Sequence, residues 1–174
     1  VLYNFNTGMK KKDKRTFLSF AEFNTENLKY STTKNESLLE IINQKKLIGY
    51  GKYSLVKYEK EGKDCLALVY IKERSINDPF LITVELFDDK LKRIDSYTNS
   101  ISPEGKRIRF LQIFISSKGQ LFLDAIDGAA RKVYTFEAES EKANSIKIDY
   151  SDKVLPSIRF FELDDAVHGV SYYS

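Results

Sequence analysis

Residues 107–138, RIRFLQIFISSKGQLFLDAIDGAARKVYTFEA, narrow the folds open to this chain more than any other stretch. Residues 108–115 are apolar at both parities, the pattern of a strand buried on both faces. Lys118-Gly119 then supplies a turn whose glycine takes φ > 0 without steric penalty, and residues 120–126 return. Asp127-Gly128 turns again, and residues 131–138 make a third pass. Three short passes separated by glycine turns spell an antiparallel meander.

The pattern continues on both sides. Residues 16–23 alternate, with Phe17, Ser19, Ala21 and Phe23 on one side and Leu18, Phe20 and Glu22 on the other. Residues 47–60 and 64–73 read as strands about the turn Lys60-Glu61-Gly62-Lys63. Residues 80–88 follow, with Phe80, Ile82, Val84 and Leu86 on the more apolar side. Residues 91–98 and 145–150 are polar enough to be outer strands with one wet face, and 157–163 and 168–173 complete the series. Residues 99–105, with Pro103 and Gly105, read as a boundary between modules.

Towards the N-terminus, Asn6-Thr7-Gly8 reads as a turn. Residues 24–35 read as a surface loop with a short strand at 28–30. The helical candidate is residues 36–45: Ser37 and Glu40 have the spacing of a capping box, and Leu38, Leu39, Ile41 and Ile42 form one apolar face.

Composition agrees with the pattern. The 12 Phe and 11 Tyr, together with β-branched residues, suit pleated and half-buried surfaces. A chain of 174 residues can bury a core as one domain. The expectation is a single all-β domain over residues 1–174, an antiparallel meander with one short peripheral helix. Residues 1–46 form its less regular part and 47–174 its regular part. No apolar run approaches the ~20 residues of a membrane-crossing helix.

The meander falls into two groups of four strands, residues 51–98 and 106–150, each closing on a polar outer strand. That length is the period of a propeller blade. IFISSKGQLFLDAIDGAARKVYTFEAES resembles the second to third strands of blades in NHL and related six-bladed propellers, over residues 113–136. VELFDDKLKRIDSY, in the first group, has a similar ending. The chain contains no tryptophan, which sets it apart from WD40 and quinoprotein blades. About three blades are fewer than the ~4 to 8 of a closed propeller. The alternatives are a portion of a longer propeller, a ring completed by two chains, or an up-and-down barrel or sandwich.

Little in the sequence points to catalysis. His168 is the single histidine and Cys65 the single cysteine, the latter inside the apolar run CLALVYI, where it reads as a small core residue. Neither has the neighbours that acid–base chemistry or a zinc site would need. Asp88-Asp89, Asp124, Asp127 and Asp164-Asp165 read as turn-forming aspartates at strand ends. No catalytic, cofactor-binding or metal-binding residues are expected.

The formal charge of +3 is concentrated in one run, Lys10, Lys11, Lys12, Lys14 and Arg15 around Asp13. Basic residues spread along a groove, as nucleic-acid binding requires, are lacking. The run reads as a solvated turn, or as a contact for an acidic partner.

The expected function is therefore a non-enzymatic protein-binding or scaffold module, with another protein, a second copy or the remainder of a longer chain as partner. The resemblance implies assemblies at a membrane or in a bacterial envelope. A lysine- and asparagine-rich chain beginning at Val1 suits an envelope lipoprotein whose anchor has been removed, with a cytoplasmic scaffold as the other setting. The alternative is a small carrier holding an apolar ligand in a barrel cavity.

Overall fold

The computed structural model describes residues 2–10, 15–24, 29–32, 53–72, 79–90, 92–104, 108–148 and 158–171. Over these residues the protein is all-β, built from antiparallel sheets and without a helix. The helix expected at 36–45 lies outside the described residues. The chain divides into two compact units, Val1–Lys46 and Leu47–Ser174.

The first unit is a three-stranded sheet in the order β1 (Leu2–Lys10), β2 (Arg15–Asn24), β3 (Lys29–Thr32). Asn6, Thr7 and Gly8, expected to turn, instead lie inside β1 opposite Ser19, Leu18 and Phe17. The reason is cooperative: β2 offers an uninterrupted alternating partner, and a nine-pair ladder from Leu2↔Phe23 to Lys10↔Arg15 outweighs local turn chemistry. The short strand anticipated at 28–30 is β3, displaced by one residue at its start.

In the second unit, β4 (Tyr53–Lys60), β5 (Lys63–Lys72), β6 (Phe80–Phe87) and β7 (Arg93–Ile101) form one sheet with neighbours in chain order. A second sheet repeats the plan with β8 (Ile108–Ile115), β9 (Leu121–Asp127), β10 (Ala130–Phe136) and β11 (Asn144–Ile148). A hairpin of β12 (Ile158–Leu163) and β13 (Ala166–Ser171) follows. Each sheet is open, and β8 lies beside both β4 and β12, so the first strands of successive sheets are neighbours.

Turn chemistry explains the tight connections. Gly119 and Gly128 take φ of 77° and 62°, as their turns require. The β4–β5 loop places Glu61 and Gly62 at φ of 53° and 73°, and the β12–β13 loop places Asp164 and Asp165 at 51° and 61°. Two consecutive left-handed residues are the signature of a two-residue hairpin turn that follows strand twist, and aspartate tolerates that region better than most residues. Asp88 acts locally as well: its carboxylate accepts from the Lys90 and Lys92 amides at 3.0 and 2.8 Å.

One core joins the two four-stranded sheets. Tyr58, Cys65, Ala67, Val69, Ile82, Val84 and Leu86 from the first pack with Ile115, Leu121, Leu123, Ala125, Tyr134 and Phe136 from the second. Register accounts for the set, since Tyr58↔Cys65, Val69↔Val84 and Val84↔Tyr97 are direct partners and share a face. Cys65 thus occupies the core, and burial raises the pKa of its thiol.

Three local expectations are corrected. Strand β8, expected to be buried on both faces, is an edge strand in which only Ile115 is fully buried. A bulge between Phe110 and Gln112 leaves Leu111 without a register partner and turns it outward. The boundary expected at 99–105 begins later, because β7 runs on through Asn99 to Ile101. In β11 the alternating Ile146 is 65% exposed.

Candidate functional site

The turn between β8 and β9 is where neighbouring modules meet. From the preceding sheet, the Tyr97 hydroxyl donates to the Gly119 carbonyl at 2.8 Å and accepts from the Leu121 amide at 3.1 Å. Burial of this hydroxyl raises its pKa well above the ordinary tyrosine value. From the following hairpin, the Glu162 carboxylate accepts from the Ser117 amide and the Ser117 hydroxyl, both at 2.7 Å. A second clasp holds the β10–β11 turn: Asn99 Nδ2 donates to the Glu137 carbonyl at 3.0 Å and also to the Ser140 carbonyl. Backbone bonds Ser100 N to Glu141 O and Ala143 N to Ser100 O close it.

Inside the second sheet lie buried charges, among them two aspartates that the sequence suggests as turn formers at strand ends. Asp124 is an interior residue of β9, fully buried, and its carboxylate takes two hydrogen bonds from the equally buried Arg131 guanidinium, at 2.9 and 2.6 Å. That fork-to-fork geometry is how a carboxylate and a guanidinium can leave water together. On the opposite face, Asp127 Oδ2 accepts from Lys132 Nζ at 3.1 Å, Tyr134 Oη at 2.9 Å and the Glu104 amide at 2.9 Å. Lys132 also pairs with the exposed Glu104 carboxylate at 2.9 Å. Burial by itself would lower the Lys132 pKa, but the Glu104 and Asp127 carboxylates outweigh it and raise it. Burial and the bond to Asp127 push Tyr134 up.

These groups are paired with one another and serve to fix the sheets. The reading of Asp124 as a turn aspartate at a strand end is therefore corrected; Asp127 does end β9 before its turn, although it is buried, and Asp88 and Asp164-Asp165 sit in turns. Among the described residues there is no group of three or more His, Cys, Asp and Glu that could hold a metal ion.

The outward face of β12–β13 is exposed. Ile158, Phe160 and Glu162 face the second sheet, where Phe160 lies 6.1 Å from both Phe114 and Phe122 between ring centroids. Gly169 has its place there because a Cβ would meet Ile158 at 3.0 Å. The other face carries Arg159, Phe161 and Leu163 opposite Val170, His168 and Ala166. Phe161 and Leu163 are 42% and 56% exposed, and the His168 ring stacks on Phe161 at 5.4 Å and 19°. His168 is thus an exposed aromatic neighbour, without an acid or base beside it in that pairing. The apolar run FFEL carries hydrophobic residues at both parities, so its sequence does not reveal which face is left open.

Of the basic run, Lys10 and Arg15 close the β1–β2 ladder as direct partners, so the structure sets them side by side on the backbone. Lys11, Lys12 and Lys14 lie outside the described residues. Among the described residues no helix is long and apolar enough to cross a membrane. Comparison with family models, with curated proteins and with solved structures finds no match to this chain.

Proposed function

We propose that this chain is a protein-binding module built from propeller-like β-sheets, with the outward face of β12–β13 as its contact surface. The observation that carries the reading is the row Phe161, Leu163 and Val170, exposed together on one face of a two-stranded sheet. Fully burying a side chain of this kind contributes about 1.5–3 kcal/mol, and these three, each about half exposed, would add roughly half of that apiece against a partner. Arg159 and His168 at the same face supply a polar and stacking margin.

Support for propeller-like construction comes from the repetition of two four-stranded meanders in chain order, with first strands adjacent. The carrier alternative would need strands closed around a cavity. Here the sheets are open, and the space between β4–β7 and β8–β11 is filled by side chains. A bacterial envelope location belongs to the same proposal and rests on composition and resemblance. An acidic partner surface for the run Lys10, Lys11, Lys12, Lys14 and Arg15 is a separate proposal, read from the sequence alone.

Site-specific photo-crosslinking in the producing cell tests this reading. A photoreactive residue at Leu163 should give a discrete adduct that disappears with Phe161→Asp and is not formed from Lys60, an exposed position at the β4–β5 turn. Equal labelling from both positions, or none from Leu163, would overturn it.

A further inference from the structure

The face of the β4–β7 sheet opposite the shared core holds a carboxylate whose pairing is incomplete. Glu85, in the middle of β6, is 7% exposed. Its Oε1 accepts from the Tyr70 hydroxyl at 3.1 Å, and its buried Oε2 has no hydrogen-bond partner. No ion pair joins it to a cation among the described residues. The other buried carboxylates here are treated differently: Asp124 has a guanidinium, and Asp127 an ammonium, a phenol and an amide.

Register shows what surrounds it. Glu85 stands between Leu68 on β5, fully buried, and Ser96 on β7, exposed. The next row on the same face is Tyr70, Thr83 and Thr98, whose two threonine hydroxyls are 2.9 Å apart. The carboxylate therefore sits at the boundary between an apolar strand and a wet one, flanked by three hydroxyls and the half-buried ring of Tyr70. The one cation of this neighbourhood among the described residues is the exposed Arg93, opposite Phe87 in the adjoining row, whose charge reaches Tyr70 but makes no ion pair with Glu85. Burial and the neighbouring Glu85 carboxylate push the Tyr70 pKa up to about 12, so its hydroxyl remains a donor near neutral pH.

We propose that Glu85 is the anchor of a binding site for an organic cation bearing N–H donors, a protonated amine or a guanidinium. A carboxylate oxygen is an acceptor, and such a cation would supply the donor that the buried Glu85 Oε2 lacks. The hydroxyls of Thr83 and Thr98 can accept the remaining N–H groups, and the Tyr70 ring offers a face for the charge. A calcium or magnesium ion suits the site poorly, since these ions take six or more oxygens and usually more than one carboxylate. Entry requires the carboxylate to swing toward exposed Ser96. The proposal is independent of the β12–β13 face.

Titration of the whole chain with methylguanidinium, followed by amide NMR at constant ionic strength, tests the site. Saturable shifts are expected at Thr83, Glu85, Ser96 and Thr98, weakened at least ~10-fold in Glu85→Gln, as loss of a charge-assisted hydrogen bond predicts. Butylammonium distinguishes an amine from a guanidinium preference, and either supports the proposal. Tetramethylammonium, which has the charge without a donor, should leave these amides unmoved. Should Glu85→Gln not fold, Glu85→Asp retains the charge but withdraws it by one methylene, and weaker binding is expected. Unchanged affinity in either variant, an equal response to tetramethylammonium, preference for calcium, or no saturation by about 100 mM would overturn the assignment.

Discussion

Tyr97 on β7 and Leu121 on β9 belong to different sheets, and one phenolic oxygen joins them: it accepts the Leu121 amide at 3.1 Å while donating to the Gly119 carbonyl at 2.8 Å. The oxygen occupies the position that water would hold at an open turn. It lets the β8–β9 connection be buried against the preceding sheet without orphaned backbone groups. Replacing Tyr97 by phenylalanine keeps the ring and removes both bonds. The expected loss is about 1–3 kcal/mol, read as a lower urea midpoint with an unchanged slope.

Gly119 is held at that turn by conformation and by space. Its φ is 77°, and a Cβ there would stand 2.5 Å from Leu86 Cδ1. Gly62, at φ 73°, has nothing within 4 Å of its Cβ position. Gly62→Ala should therefore show the backbone penalty alone, about 1 kcal/mol. Gly119→Ala should exceed it by roughly 1–3 kcal/mol, because Leu86 is packed in the core and must move. Making both glycine variants in a Leu86→Ala background tests the division: the difference between them should largely vanish in denaturation curves.

The elements legible in the sequence were those fixed by local chemistry. The groups read at 51–98 and 106–150 correspond to β4–β7 and β8–β11, because two-residue turns and alternation are short-range properties. What could not be read depends on distant neighbours. Asp124, Arg131 and Lys132 have the residue types of a wet surface, yet all three are buried. Glu85 alternates with Val84 and Leu86 as a solvent-facing residue would, yet its face of β6 is covered. Phe160 and Phe161 are adjacent and identical, and their opposite fates follow from which face of β12 meets Phe114 and Phe122.

Two of the ion pairs among the described residues lie in contrasting surroundings. Arg131 and Asp124 have side chains only 2% and 0% exposed, whereas Lys57 and Asp64, 2.7 Å apart, are 66% and 71% exposed. Removing one charge of the buried pair leaves its partner without compensation. Asp124→Asn should cost about 3–5 kcal/mol, while Asp64→Asn should change stability by no more than ~1 kcal/mol. Raising the salt concentration should shrink the smaller effect and leave the larger one nearly intact, which chemical denaturation in two buffers will show.

Alkaline pH should unfold the protein in a narrow range. Burial, and then the Cys65 thiol, push Tyr58 from 10.0 up to about 12; Tyr70 rises equally, and Tyr97, Tyr134 and Lys132 are also raised. In every case the folded chain holds its proton more tightly than the unfolded one. The associated stability is therefore complete below the ordinary value and disappears as pH climbs through the folded value. For Tyr58 this amounts to ~2–3 kcal/mol lost between pH 10 and about 12. Weak contact with the Cys65 thiol apart, the Tyr58 hydroxyl has no hydrogen-bond partner, so Tyr58→Phe should not lower stability at neutral pH. It should flatten the alkaline decline, monitored as tyrosinate absorbance alongside circular dichroism. A wild-type chain whose tyrosines all ionise near pH 10 while the β-signal persists would contradict this account.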